Sequence, residues 1–105
     1  MTELTHEQRL AMDRANRAEA ITQDPLVLAA LAQLEEDIFE VWKDPKLNAE
    51  QREELHRMHK TLGRFVGVFD AYIMGGAEPR HILGVPAPEK TFLQRIKERI
   101  HGKKA

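Results

Sequence analysis

Three residues come closest to a chemical constellation: Glu53, His56 and His59. At i, i+3 and i+6 they fall on one side of a helix, and Glu-x-x-His is half of the di-iron carboxylate pattern. A complete site needs more carboxylates on partner helices, here supplied by symmetry-related chains. The plainer reading is an exposed polar flank, so no metal and no cofactor are expected. The acids Glu35, Glu36, Asp37 and Glu40 invite a second question, since paired carboxylates do general acid–base work. That chemistry needs a pocket that separates two pKa values. No such pocket is implied, and a solvated helix face is expected. No nucleophile turn or glycine-rich phosphate loop appears. Gly75-Gly76 ends a helix where an anion site would have to open one. The chain has no cysteine, which excludes disulfides, thiolate metal sites and cysteine nucleophiles. The expectation is a protein that is not an enzyme.

A chain of 105 residues amounts to one domain. With 42% apolar and 31% charged residues it is globular in composition. The net charge of −1 hides a division. From Glu19 to Glu54 there are ten acids and three bases; from Leu55 onward there are ten bases and four acids. Either the acidic second helix lies beside the basic half, or an acidic face and a basic end meet different partners. No apolar run is long enough for a membrane span, and the first residues lack a signal-peptide core. A cytoplasmic protein without a membrane partner is expected, in the host cytoplasm if it is phage-encoded.

Helices must position these residues. Thr5-x-x-Gln8 has the form of a capping box and starts a first helix that runs to about Thr22, with Ala11, Ala15 and Ala18 on one face. Asp24-Pro25 starts a second, with Val27, Leu31, Leu34, Ile38 and Val41 as its stripe. Asn48-x-x-Gln51 starts a third and longest helix, which Gly75-Gly76 ends. Leu55, Leu62 and Phe69 recur on it every seven residues, and so do Met58, Phe65 and Tyr72. Two such rows form a seam for packing against other helices. Residues 77–90 hold three prolines and are expected to be an extended strap over an apolar groove. Thr91-x-x-Gln94 begins a short basic amphipathic helix. The fold class is all-α: a three-helix antiparallel bundle over 1–76, a Pro-containing strap over 77–90 and a C-terminal amphipathic helix and tail over 91–105.

Two sets of residues are candidates for binding. Phe92, Leu93, Ile96 and Ile100 form an apolar face that docks on the chain's own bundle or on a neighbour. Gly63 and Gly67 offer a smooth patch for a close helix crossing, either against the alanine face of the first helix or between subunits. The alternative function is nucleic-acid contact through Lys90, Arg95, Lys97, Arg99, Lys103 and Lys104, whose charges suit phosphates.

Arg14-Ala15, Arg17-Ala18, Ile21, Asp24-Pro25-Leu26, Leu31, Leu34 and Trp42 set the pattern of the first half. Arg52-Glu53, Leu55, Met58, Leu62, Phe69, Ile73 and Gly75 continue it. Over residues 14–76 this pattern resembles small helical proteins of tailed-phage and prophage packaging and assembly gene clusters. The resemblance implies an accessory or assembly factor and carries no catalytic residue. The expected function is therefore protein–protein interaction, with a protein partner or a second copy in a homo-oligomer.

Overall fold

The computed structural model describes residues 3–102, with side chains as far as Ile100. They form α1 (His6–Gln23), α2 (Pro25–Trp42), α3 (Ala49–Gly75), α4 (Ala77–Leu83) and α5 (Phe92–Gly102), with no strand among the described residues. The starts follow from local chemistry. Thr5 and Gln8, Asn48 and Gln51, and Thr91 and Gln94 each exchange two side-chain-to-backbone hydrogen bonds. These satisfy N–H groups that a helix leaves unpaired in its first turn. Asp24 closes α1 and opens α2, its Oδ1 accepting from the N–H groups of Leu26 and Val27.

The α2–α3 link is held by Arg52. Its guanidinium donates to the carbonyls of Trp42 and Asp44, at 3.2 and 3.1 Å, and lies 5.3 Å above the Trp42 ring. The Trp42 carbonyl is one that the end of α2 leaves open, and the Asp44 carbonyl, in the link, also accepts from the Leu47 N–H at 3.3 Å.

Long-range pairs fix the layout. Glu35 meets His59, and Trp42 meets Arg52, so α2 runs antiparallel along the first half of α3. Ala15 packs against Gly76, and Arg14 lies over Tyr72, so α1 accompanies the second half. A Cβ on Gly76 would collide with the Cβ of Ala15, which is why this crossing needs a glycine. Two helices following one another along a third make a long object. The Cα extents are 64 × 32 × 17 Å and the radius of gyration is 17.5 Å, against roughly 13 Å for a compact chain of this length.

The strap differs from expectation. Ala77–Leu83 is helical, because Pro79 stands in the first turn, where its missing N–H has no intrahelical partner to lose. Gly84, at φ 73°, ends the helix in the left-handed region. Only the segment from Gly84 to Thr91 is irregular. Arg80 anchors α4: it is buried, pairs with Glu19 and donates to Asn16 at 3.3 Å.

The core joins α2, α3 and α5. Leu31, Ala32, Val66, Phe92 and Ile96 are buried together, with Val27, Leu28, Leu62, Phe69 and Ile100 packed around them. Phe92 is 1% exposed and meets the edge of Phe69 with ring centroids 5.5 Å apart. Its N–H donates to Asp70 Oδ1 at 2.9 Å, so a carboxylate on α3 caps the first turn of α5. The C-terminal helix is thus built into the core of the chain.

Candidate functional site

The sequence-derived candidates fall in different places. Phe92 and Ile96 are core residues and Ile100 is packed against them, so these three are occupied within the chain and are not free for a partner. Leu93 is exposed. Gly63 and Gly67 are exposed too, and a Cβ on either would meet nothing within 4 Å. The crossing of the α1 alanine face over them is not present; Ala15 crosses at Gly76 instead.

The basic residues are partly turned inward on the chain's own acids. Lys90 pairs with Glu98 at 2.8 Å, and Lys97 borders a groove with Glu36, Asp37 and Glu40. Arg95 is half-buried and Arg99 exposed. Lys103 and Lys104 lie outside the described residues. Within the chain, the acidic helix and the basic helix are neighbours.

The histidines also resolve into an ordinary arrangement. His59 Nε2 and Glu35 Oε1 are 2.9 Å apart, on the rim of a cleft lined by Phe39, Trp42, Leu55 and His56. Glu-x-x-His recurs at Glu3–His6 and Glu78–His81. Even so, among the described residues no three His, Asp or Glu side chains gather as metal ligands. No helix among them is long and apolar enough to cross a membrane.

What the structure does bring together is apolar surface. The two heptad rows of α3 part company. In the first, Leu55 is 8% exposed and Leu62 and Phe69 pack on the core. In the second, Met58, Phe65 and Tyr72 are open, with Phe65 53% exposed. Phe65 meets the edge of Phe69, with ring centroids 5.2 Å apart, and the Arg14 guanidinium lies over the Tyr72 ring, which stays 40% exposed. Met58, Phe65 and Leu62 line a groove whose other wall is Leu31, Leu34 and Ile38 of α2. Leu34 and Val41 are themselves exposed. The strip continues toward α1, where Leu10 and Ile21 flank Phe69 and Tyr72. Contiguous apolar surface on this scale marks an interaction site. The polar groups beside the groove are Glu54, Arg57 and Thr61, with Arg57 paired to Glu54 at 2.9 Å.

The sequence carries half of this surface. The strip residues of α2 and α3 all stand in a heptad row or in the α2 stripe, whereas Leu10 and Ile21 of α1 belong to neither. The sequence lacks any mark of which row the chain itself covers. Comparison with protein-family models, with curated proteins and with solved structures finds no match to this chain.

Proposed function

We propose that the protein works without catalysis, as a helical module that binds protein through the open strip of α2 and α3. One observation carries the reading: a complete heptad row, Met58–Phe65–Tyr72, faces out beside Leu34 and Val41 on a chain whose own core is already closed. Knobs at heptad spacing fit the holes of another helix. The strip is bordered by charged side chains, which suits a protein surface with an apolar centre and a polar rim. In the setting implied by the likeness to phage packaging and assembly proteins, the module is an accessory factor of particle assembly or DNA packaging.

The test is a photo-reactive phenylalanine analogue in place of Phe65 in the producing cell, with the same group in place of exposed Lys60 as control. An adduct with protein at position 65 and not at 60 is expected. No adduct at position 65 would overturn the reading.

A further inference from the structure

Resting on that reading, we infer that the occupant of the strip is a second copy of this chain, related by a twofold axis parallel to the helices, so that α2 of each copy lies on α3 of the other. Three independent features lead there.

The first is area. The chain exposes 7832 Å². A folded monomer of 12.1 kDa is expected to expose about 6,000 Å². The surplus, roughly 1,800 Å², lies within the ~1,000–2,500 Å² that each subunit of a permanent dimer buries.

The second is the shape of the strip. At about 100° per residue, Leu34 and Val41 project from α2 just as Met58 and Phe65 project from α3, on the side away from Ala32, which faces the core with α5. Leu34 and Val41 on α2, like Met58 and Phe65 on α3, stand one heptad apart, so the two walls share a spacing. Turning one copy about an axis along the groove lays each α2 wall on an α3 wall. All four neighbouring helix pairs are then antiparallel, as in an up-and-down four-helix bundle. An isologous contact of this kind closes on itself and does not build a fibre.

The third is what stands on the outer edges. Glu35 opposite His59 and Trp42 opposite Arg52 set the levels along the pair. On that scale Asp37 is level with Arg57, and Leu26 is level with Val68. By helix periodicity these partners sit on opposite outer edges within one chain, where Asp37 accepts from the Gln33 amide at 2.8 Å and borders the α5 groove and Arg57 pairs with Glu54 at 2.9 Å. Leu26 is 78% exposed and Val68 47%, with nothing in the chain's own fold to explain either. The twofold axis brings each Leu26 to the other copy's Val68 and each Asp37 to the other copy's Arg57. The alternative axis, across the helices, lays α2 on α2, so that an acidic helix faces itself, and is disfavoured by like charge.

Sedimentation equilibrium of the purified full chain tests the stoichiometry, and introduced cysteines test the arrangement. A mass of two chains is expected. Phe65→Asp should weaken the dimer by at least about 30-fold in dissociation constant. Should that variant not fold, Arg57→Glu serves in its place: dissociation rises, and Asp37→Arg in the same chain restores it. Because the native chain lacks cysteine, the double variant Asp37→Cys with Arg57→Cys should form inter-chain disulfides on oxidation, and either single variant should not. A one-chain mass at micromolar concentration overturns the inference. So does a two-chain species in which the double variant fails to cross-link or Asp37→Cys alone succeeds. If the mass is that of one chain and the in-cell adduct at position 65 contains a different protein, self-association fails while binding through the strip stands. If there is no adduct at all, both fail.

Discussion

The two heptad rows of α3 differ by little in composition and by much in fate. Leu55 is buried and Leu62 and Phe69 pack on the chain's own core; Met58, Phe65 and Tyr72 stay 40–53% exposed. The reason lies in how many helices are within reach. Asp24 is the only residue between α1 and α2, so α2 continues along α3 where a folded-back helix would have covered its second row. α5 then fills the remaining core position from the other side, through Phe92 and Ile96. The rows therefore separate what holds the chain together from what it offers to another molecule. Substitutions in the two should behave differently.

The largest effect is expected at the closed core. Phe92→Ala should cost about 3–5 kcal/mol in urea unfolding, since it empties a fully buried ring site between α2 and α3. A loss under about 1 kcal/mol would mean that α5 is not part of the core. Leu55→Ala, on the closed row, should cost about 2–5 kcal/mol, whereas Met58→Ala on the open row should leave helix content unchanged and act on association. Equal effects of the pair on the unfolding of a dilute sample would erase the distinction between rows. Next comes Asp70→Ala, which removes the carboxylate that receives the Phe92 N–H and should cost about 1 kcal/mol, as other helix caps do. The smallest effect has the opposite sign. Gly63→Ala should stabilise by about 0.5–1 kcal/mol, because the glycine sits exposed in mid-helix with free space at Cβ. Destabilisation there would show that a close helix crossing uses the patch.

Much of the fold is legible in the sequence because it is local. Each Thr/Asn-x-x-Gln box acts within four residues, and all three start helices where their spacing says. Asp24-Pro25 and Gly75-Gly76 act locally too. What fails to show depends on partners far along the chain. Arg80 looks like one more basic residue until Glu19 and Asn16, more than sixty residues earlier, enclose it. Pro79 reads as a helix breaker until its position in a first turn is known. Phe92, read as part of a docking face, becomes the largest buried ring because Asp70 and Phe69 wait for it on α3. The candidate surface follows the same division. Periodicity marks both rows as helix-packing positions, but coverage is decided by the path of the chain after Asp24.

One measurement bears most directly on the open row as a self-association surface: the thermal unfolding midpoint of the full chain over a hundredfold range of protein concentration. Association of folded chains stabilises them by mass action, so the midpoint should rise steadily with concentration, and Phe65→Asp should flatten the rise. A wild-type midpoint that does not move over that range would contradict the account.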